Sequence, residues 1–298
     1  MGLRNNTSTI ASVSALILFF ALSLAAQDDD DDFKWQDAAK ELDALPFSQA
    51  FIDSVKKVHI GGDTQRGLRK VSGGRVAATE TETLVYEVRW GLFKAGYVIL
   101  TTTNMRGRGL IRLGAKSMTS NFISAFYKSR DYLISWVDAD GLYPHFFEQH
   151  VREGNRGDKY KLDLYIVYDN KNGKLFVKKR NLKEYDAPPF THDYLSILYY
   201  ARAMPLNSGD VFSADLFAAT KTDPVKVKVS DKRETIKVGA GTFNCILVEP
   251  TFVGDNKAFN KKSKIEVWVS NDEHKYPVYV KSKAKVGSVN AKLVQISK

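Results

Sequence analysis

Three acidic residues in the middle of the chain, Asp131, Asp138 and Glu148, are the best candidates for catalysis. Two carboxyl groups can act as general acid and general base on a glycosidic bond if their separation suits the reaction. Asp138, however, begins the turn sequence Asp138-Ala139-Asp140-Gly141, and aspartates at such positions commonly accept hydrogen bonds from the turn backbone. We therefore expect Asp131 and Asp138 to stabilise turns, and a carboxylate-based glycan hydrolase is the second alternative for function.

The five histidines and the single cysteine form no recognisable catalytic or metal-binding motif. His145 and His150 are five residues apart in a predicted strand, so their side chains point to opposite faces and cannot share a metal ion there. Cys245 lies in the strand-like run Thr242–Val248, where a thiol usually packs as a small hydrophobe. The chain also lacks a GxSxG elbow and a phosphate-binding glycine loop. The sequence predicts no catalytic residue, no metal site and no cofactor.

Aromatic residues offer the possibility of binding without catalysis. They make up 12% of the chain, and apolar residues make up 44%, which is enough for a sizeable core. The side chains that we expect to line the mouth of a curled sheet and to bind a ligand are Trp90, Phe126, Trp136, Phe147, Tyr199 and Tyr200. The formal charge of +10 also permits an anionic partner. Lysines that alternate with valines over 225–229 indicate the outer face of a sheet rather than a docking patch.

The first 25 residues have the pattern of a secretory signal peptide. Arg4 supplies a weak positive start, Ile10–Leu24 is apolar, and Ser23-Leu24-Ala25 offers the small residues that signal peptidase reads. We predict cleavage after Ala25 and a protein that works outside the cytoplasm, in the periplasm or the extracellular space. The alternative is an uncleaved anchor. Export argues against a nucleic-acid partner and favours a lipid, a glycan or an envelope protein, with membrane association peripheral at most.

Residues 26–75 form the second predicted part of the chain. Asp28–Asp32 is a run of five aspartates, which repel each other and stay solvated. The apolar residues of Phe33–Val58 follow helical spacing, and Gly61–Gly74 is a linker rich in glycine and basic residues. We expect this helical segment to lie against the outside of the following domain. Binding to a membrane surface or a partner is the alternative.

Residues 76–298 form the third part, which we predict to be a mainly β (α+β) domain. From Leu84 onward the apolar residues recur with period two, and short turns separate the strands, so the pairing should be antiparallel. The predicted strands are 84–90, 97–104, 110–119, 132–137, 143–149, 160–168, 175–179, 210–217, 223–230, 234–238, 242–252, 264–270, 277–283 and 288–296.

One apolar helix interrupts these strands at Thr191–Met204. Thr191 is the expected N-cap, and Pro205 ends the helix because the residue before a proline is pushed out of the α region. Ser196 and Arg202 form a thin polar stripe on a helix that is otherwise apolar, which indicates burial. The sequence predicts a curled antiparallel half-barrel sheet around this central helix, which fixes the curvature of the sheet.

Motifs in the β-domain, taken in order, resemble the domain-of-unknown-function family 3108. The motifs are Tyr86-Glu87-Val88-Arg89-Trp90-Gly91 with Phe93-Lys94-Ala95-Gly96, Arg130-Asp131-Tyr132 with Tyr143-Pro144, Asp193-Tyr194-Leu195-Ser196, Gly241-Thr242-Phe243-Asn244-Cys245, and Trp268-Val269-Ser270. The resemblance runs from about Leu84 to the C-terminus. It implies an exported bacterial β-rich protein, similar more loosely to the half-barrels that carry lipoproteins. Thr81-Glu82 stands where this family pattern has Gly-Glu. The family carries no established catalytic residues, so the resemblance implies none here.

These observations favour an exported, non-catalytic envelope protein that binds or escorts a hydrophobic or anionic ligand through the mouth of its sheet. The first alternative is a structural or assembly module with a solid core that binds a partner protein. A cavity beside the helix would favour ligand binding. Two carboxylates that face each other in a cleft would favour the glycan hydrolase.

Overall fold

The computed structural model of the chain describes residues 67–71, 81–105, 109–125, 128–154, 160–218, 220–253, 264–283 and 288–298. The predictions for the signal peptide with cleavage after Ala25, the acidic run Asp28–Asp32, the helical segment Phe33–Val58 and most of the linker lie outside these residues. Phe126 lies outside them as well. All statements of structure below concern the described residues.

The β-domain is one 14-stranded sheet in which every neighbouring pair of strands is antiparallel. The strands are β1 Thr81–Trp90, β2 Phe93–Met105, β3 Leu110–Thr119, β4 Arg130–Asp138, β5 Pro144–Glu153, β6 Tyr160–Asp169, β7 Lys174–Lys178, β8 Leu182–Asp186, β9 Val211–Phe217, β10 Thr222–Val238, β11 Gly241–Phe252, β12 Ile265–Ser270, β13 Pro277–Lys283 and β14 Ser288–Ser297. Two helices occur in the described part, α1 Asn121–Ser124 and α2 Ser196–Ala203. The predicted mainly β, antiparallel fold class is therefore correct.

The path of the chain through the sheet is a meander with one exception. Strands that follow each other in sequence are neighbours, apart from the junction of β1 with β14. That pairing puts β8 and β9, which are consecutive in sequence, at opposite edges of the sheet. The connection of residues 187–210 therefore runs from one edge to the other, and it contains α2.

This connection also brings the two edges of the sheet towards each other. The backbone N–H of His192 donates to the carbonyl of Asp215 at 2.7 Å, and Phe217 N–H donates to the carbonyl of His192 at 2.9 Å, so His192 forms a parallel bridge along β9. The rings of Tyr185 in β8 and Phe217 in β9 have centroids 5.4 Å apart. The sheet is therefore curled, and its own connection lies where the two edges approach each other.

One face of the sheet carries the core. In β1 the buried residues Leu84, Tyr86 and Val88 alternate with side chains of the opposite face, as the pleat of a strand requires. The same core contains Leu195 and Tyr199 of the connection, which are 0% and 1% exposed. In β10 the valines of 225–229 are buried and the lysines between them are exposed, which confirms the prediction that these lysines lie on the outer face. That α2 fixes the curvature of the sheet stays a prediction.

The helix is shorter than the sequence predicted. It spans Ser196–Ala203 instead of Thr191–Met204, and Leu195 is its N-cap without a side-chain hydrogen bond. Thr191 does not cap it, because its hydroxyl donates to the carbonyl of Pro188 at 2.7 Å. Asp193 takes the capping role: its Oδ1 accepts hydrogen bonds from the N–H groups of Leu195 and Ser196 at 2.7 and 2.9 Å. No described helix has the length and apolarity to cross a bilayer.

The predicted polar stripe of this helix is in fact its buried side. Ser196 is 0% exposed and Arg202 is 4% exposed, whereas Leu198, Tyr200 and Ala201 are half-buried. Buried polar groups are tolerated when other protein groups satisfy them, and both side chains have such partners. The apolar residues Leu198 and Ala201 instead border a cavity.

Two strands also differ from the predicted pattern. β8, Leu182–Asp186, was not predicted, because an exposed edge strand carries charged residues rather than alternating apolar ones. The two strands predicted at 223–230 and 234–238 form the single strand β10, whose register against β11 shifts between Val229 and Arg233. The polar residues at that irregularity gave the appearance of a turn.

Candidate ligand cavity

A cavity of about 180 Å³ lies between α2 and the buried face of the sheet. The helix contributes Ile197, Leu198, Ala201 and Arg202 to its wall. Strands from both halves of the sheet complete the wall, including Leu100 of β2 and Val227 of β10. Apolar atoms make up nearly all of the lining, so the cavity favours an apolar occupant.

The sequence creates this space by placing small side chains at two positions of the cavity wall, one in the sheet and one in α2. Ala115 of β3 and Ala201 of α2 both line the cavity and present a single methyl group each. Neighbouring lining positions carry valine, isoleucine and leucine, which keep the wall apolar. Because protein interiors otherwise pack to crystal-like density, a space of this size requires such a local shortage of side-chain volume.

The cavity is accessible from one side. Leu198, Leu206, Phe252 and Ile265 all line it, and all four are only half-buried. Apolar side chains that are partly exposed around a concave space form an entrance for an apolar molecule without the need to unfold the core. These four residues belong to α2, the segment that follows it, and strands β11 and β12.

A buried ion pair closes another part of the wall. The Nη1 and Nη2 atoms of Arg202 donate to the two carboxylate oxygens of Glu82 in β1, at 2.7 and 3.1 Å. Nη2 also donates to the carbonyl of His274 at 3.0 Å, and the ring of Tyr199 lies 5.2 Å from the guanidinium carbon. Burial disfavours the positive charge, but Glu82 raises the pKa of Arg202 above its ordinary value. The guanidinium is thus charged and neutralised in place.

Next to this ion pair, two polar groups at the cavity wall have no hydrogen-bond partner among the described residues. They are the hydroxyl of Tyr86 and the Nε of Arg202, both on residues that line the cavity. Tyr86 is 2% exposed, and burial raises its pKa well above the ordinary range for tyrosine, so the hydroxyl keeps its proton. These two groups are buried behind the wall, because the surface of the cavity itself is almost entirely apolar.

The start of α2 is held to the sheet by a second buried network. The hydroxyl of Ser135 in β4 donates to Oδ2 of Asp193 at 2.6 Å. Burial raises the pKa of Asp193 to about 6, although hydrogen bonds from Ser135, Ser196 and Leu195 act in the opposite direction. The Oγ of Ser196 accepts the N–H of Asp193 at 2.9 Å and lies 3.1 Å from Nδ1 of His192. These contacts position the cavity-lining residues of the helix.

The imidazole of His192 connects that network to the segment of residues 67–71. Burial, and then the charge of Arg69, lower the pKa of His192 to about 3, so the ring is neutral at neutral pH. Its Nε2 lies 3.3 Å from Nη2 of Arg69. The guanidinium of Arg69 also lies 4.7 Å from the ring of Tyr200 and 4.8 Å from the ring of Phe190, as cation–π contacts require.

Asp138 anchors the same segment, and its predicted role in the turn is confirmed. Its carboxylate accepts the N–H groups of Asp140 and Gly141 within the turn, the N–H of Gly67 at 2.9 Å and the hydroxyl of Tyr143 at 3.0 Å. Burial alone would raise its pKa, but hydrogen bonds from His145, Gly67, Gly141 and Tyr143 lower the pKa to about 2. A carboxylate with this many donors is a structural group and a poor base.

The structure does not bring the three candidate catalytic acids together. Asp131 and Asp138 are seven residues apart in β4, about 23 Å along a strand, whereas paired glycosidase acids lie within about 10 Å. Asp131 accepts the N–H of Arg152 and the hydroxyl of Ser129, and burial raises its pKa to about 7. Glu148 lies 3.3 Å from His150 in β5. Within the described ranges no group of three or more possible ligands could hold a metal ion.

None of the five described aromatic residues predicted to bind a ligand lines the cavity. Phe147 and Tyr199 are core residues with 0% and 1% exposure, and Trp90 is half-buried against the same core. Tyr200 packs against His192, with centroids 4.7 Å apart. Trp136 belongs to a separate cluster on the other face of β4, since its neighbour Ser135 points towards Asp193.

The residues that do border the cavity carried little signal in the sequence. Tyr86 and Leu198 resemble any other core residues, and Ala201 has no distinguishing feature. Arg202 is the exception, because a cation in an apolar helix indicates a buried partner or a functional role. Its partner Glu82 lies 120 positions away and could not be chosen from the other acids.

The family model of "Protein of unknown function (DUF3108)" matches residues 85–294. The chain belongs to DUF3108. In this DUF3108 protein the match extends from β1 into β14, and it includes α2 and every described residue of the cavity wall. The resemblance seen in the sequence motifs is thereby confirmed. No curated protein matches the chain.

Three solved structures are similar to this DUF3108 protein to different degrees. A β-barrel-like protein of the domain-of-unknown-function family DUF1849 from Brucella abortus has a TM-score of 0.51 at 12% identity, covering 73% of this chain and 97% of its own. A protein thought to be exported, with a YmcC-like fold, from Bacteroides fragilis has a TM-score of 0.30 at 13% identity, with 74% and 97% covered. A protein thought to be a lipoprotein from Parabacteroides distasonis has a TM-score of 0.29 at 12% identity, with 74% and 96% covered. The fold similarity rests on the Brucella protein.

Proposed function

We propose that this DUF3108 protein is an exported, non-catalytic envelope protein that binds a small hydrophobic ligand between α2 and the sheet. The observation that carries the proposal is the apolar cavity of about 180 Å³. An engineered apolar cavity of roughly 150 Å³ in another protein stays dry and binds benzene or xenon, so a space of this size is sufficient for an apolar group. Drug-sized pockets are larger, at about 300–1,000 Å³, and one short chain or ring suits this cavity better.

The lining favours a hydrophobic ligand over an anionic one. Among the described residues of the wall, Arg202 is the one cation, and it already pairs with Glu82 through two hydrogen bonds. Lysines 226 and 228 of β10 point away from the cavity, towards solvent. An anion in the cavity would lose its hydration and gain no uncompensated positive charge in return, which is unfavourable.

Export is supported by the sequence pattern of residues 1–25, with cleavage expected after Ala25. The mass of the intact protein, recovered from outside the cytoplasm, tests this part of the proposal. A mature protein that begins at Ala26 is the expected result. A protein that retains residues 1–25 would contradict it.

Binding can be tested with N-phenyl-1-naphthylamine, a neutral dye that fluoresces strongly in apolar surroundings. The protein should increase the dye fluorescence in a saturable manner. Ala201→Phe places a ring in the cavity and should weaken dye binding at least tenfold, while Leu198→Ala enlarges the cavity and should preserve binding. Both residues line the cavity from α2 and are half-buried.

The matched control is Leu92→Ala, because Leu92 is an apolar side chain that is 88% exposed in the turn between β1 and β2. This variant should bind the dye like the unmodified protein. If Ala201→Phe binds the dye as well as Leu92→Ala does, the dye does not enter the cavity and the proposal is wrong.

A further inference from the structure

We infer that the segment Phe33–Val58 packs on the outer face of strands β2–β6 and forms a second layer of the fold there. The outer face is the side of these strands opposite the core, whereas the ligand cavity lies on the core side. The inference is therefore independent of the proposed function. It assigns this face one partner, an amphipathic helical segment of the same chain, in place of a membrane surface or another protein.

The first observation is that the outer face is buried. Its positions alternate with those of the core residues, and none of the following side chains is more than 9% exposed: Ile99, Thr101, Arg112, Ile134, Trp136, Glu148, His150, Tyr165 and Val167. Within the described residues, the apolar neighbours of Ile134 and Trp136 are strand residues of the same face, namely Met105, Leu110, Tyr132 and Phe146. Side chains in one layer shield each other's flanks and leave their tips in water, so burial to this degree requires a covering layer.

The second observation is a depression in the middle of this face. The register aligns Thr101 of β2, Gly114 of β3 and Ile134 of β4 in one row across the strands. Gly114 has no side chain, whereas Arg112 and Lys116 project from the same face of β3 on either side of it. A glycine inside a strand commonly marks a place where another backbone approaches the sheet. The two cations are four residues apart, about 13 Å, which leaves room for a helix of about 10 Å diameter.

The first half of the segment carries the matching pattern. Its apolar residues fall on one side of a helix, and Leu42 is near the centre of that side. Glu41 and Asp43 border the same side, one on each flank. When the apolar side faces the depression, these two carboxylates lie towards Arg112 and Lys116. Arg112 is 4% exposed, and a buried cation is tolerated where an anion lies beside it.

The point at which the segment joins the described chain also places it on this face. Gly67 donates its N–H to Oδ2 of Asp138 at 2.9 Å, and Asp138 lies two residues after Trp136 in β4, on the same face and about 7 Å away. Residues 59–66 separate Val58 from Gly67 and can span about 30 Å. Strands β2 and β6 are each two strand spacings, about 10 Å, from β4. A helix of residues 33–45, about 20 Å long, therefore reaches the face and spans its five strands.

The experiment measures how fast a thiol on the outer face reacts with N-ethylmaleimide in the intact protein. Thr101→Cys places the thiol beside Gly114, at a position that is 1% exposed. Leu92→Cys is the reference, because Leu92 is 88% exposed. Mass spectrometry of the labelled peptides separates both from the natural thiol of Cys245. We expect Thr101→Cys to react at least tenfold more slowly than Leu92→Cys.

A second substitution, in the segment itself, shows what covers the thiol. Leu42→Gln puts an amide on the apolar side of the segment and should speed the labelling of Thr101→Cys at least fivefold. Lys40→Gln is the matched control, because it introduces the same side chain on the opposite, polar side. This control should leave the labelling rate within twofold. Circular dichroism should show an intact β-sheet in both variants.

The labelling rates can contradict the inference in two ways. Equal rates for Thr101→Cys and Leu92→Cys would show that the outer face is open. If Thr101→Cys is protected but Leu42→Gln leaves its rate unchanged, another molecule covers the face and the inference is also wrong. A rate that increases on dilution would then identify that molecule as a second copy of the chain.

Carbodiimide cross-linking of the unmodified protein decides the question if Leu42→Gln does not fold. The reagent joins a lysine to a carboxylate in contact with it, so it should link Lys116 to Glu41 or Asp43. Lys226 is the control, because it is exposed on β10 and should form no link to either acid. A protein in which Lys116 forms no link to the segment would overturn the inference. None of these outcomes bears on the binding of N-phenyl-1-naphthylamine, since the cavity lies on the other face of the sheet.

Discussion

Two aspartates of β4 have pKa values displaced in opposite directions, although burial acts to raise the pKa of both. Asp138 has a pKa of about 2, because donors from the turn and from the segment of residues 67–71 outweigh its burial. Asp131 has a pKa of about 7, because burial outweighs the hydrogen bonds from Arg152 and Ser129. The number of donors around a carboxylate therefore decides the sign of its shift.

The raised pKa of Asp131 predicts a specific dependence of stability on pH. Its folded pKa lies above its unfolded value, so the stabilising contribution is complete below about pH 4 and is lost as the pH rises through 7. Asp131→Asn keeps an oxygen for the N–H of Arg152 and an amide for Ser129, without the charge. At pH 8 this variant should be more stable than the unmodified protein by about 1–3 kcal/mol, with little difference at pH 4.

Urea denaturation at the two pH values measures this difference. Asp163→Asn is the control, since the pKa of Asp163 is lowered by hydrogen bonds from Arg152 and His150 despite its partial burial. Its contribution is present above about pH 4 and is lost at lower pH, so its removal should destabilise the protein at pH 8. A stabilised Asp163→Asn, or an Asp131→Asn variant without a gain at pH 8, would contradict the assignment.

At the level of elements, α2 is a short helix whose position is determined at its first turn. Its eight residues are too few for stability in isolation, so tertiary contacts must hold it. Asp193 supplies them by accepting two backbone N–H groups of the helix start and the hydroxyl of Ser135 in β4. The same residue therefore caps the helix and fixes it to the sheet.

Asp193→Ala should lower the free energy of unfolding by about 2–4 kcal/mol, because three donors are left unpaired in a buried site. Ser135→Ala, the matched control, removes one of these contacts and should cost about 1 kcal/mol. Urea denaturation at pH 8, where Asp193 is ionised, provides both values. Equal losses in the two variants would show that the N–H groups of Leu195 and Ser196 find other partners and that the helix is not fixed at its start.

At the scale of the whole molecule, the pairing of β1 with β14 closes the chain path. The last strand thereby occupies an interior position in the sheet, between β1 and β13, and not an edge. Its residues Val289, Ala291 and Leu293 are 2%, 0% and 0% exposed. β14 therefore supplies hydrogen-bond partners to both neighbouring strands and apolar side chains to the core.

Removal of residues 288–298 should prevent folding, although it deletes only the end of the chain. The loss exposes the edges of β1 and β13 and removes three buried apolar side chains, and the free energy lost is comparable to a typical domain stability of about 5–15 kcal/mol. The protein should aggregate and lack the circular dichroism of a β-sheet. Removal of Lys298 alone is the control and should leave the fold intact, because its side chain makes an exposed contact with His274. A folded, monomeric protein without β14 would contradict this account of the sheet.

The sequence by itself determined the class of fold and most of the strands. Alternation of apolar and polar residues is a local property, and in runs such as 110–119 the predicted bounds are those of β3. Glycine and aspartate signals marked the turn at 138–141 for the same reason. β8 was not predicted, because its residues are mostly charged. The predicted helix was longer than α2, because Thr191 and Asp193 are both residue types that commonly begin a helix.

The cavity and the buried ion pair beside it were decided by tertiary structure. Glu82 and Arg202 are 120 positions apart, and Ser135 and Asp193 are 58 apart, so no local pattern could pair them. Whether Ser196 and Arg202 face solvent or the interior depends on which partners the sheet places beside them. Aromatic type indicated burial for Phe147 and Tyr199, but burial alone does not distinguish a core position from a cavity wall. Empty space is a property of how several strands and one helix fit together, and such a fit exists only in the assembled fold.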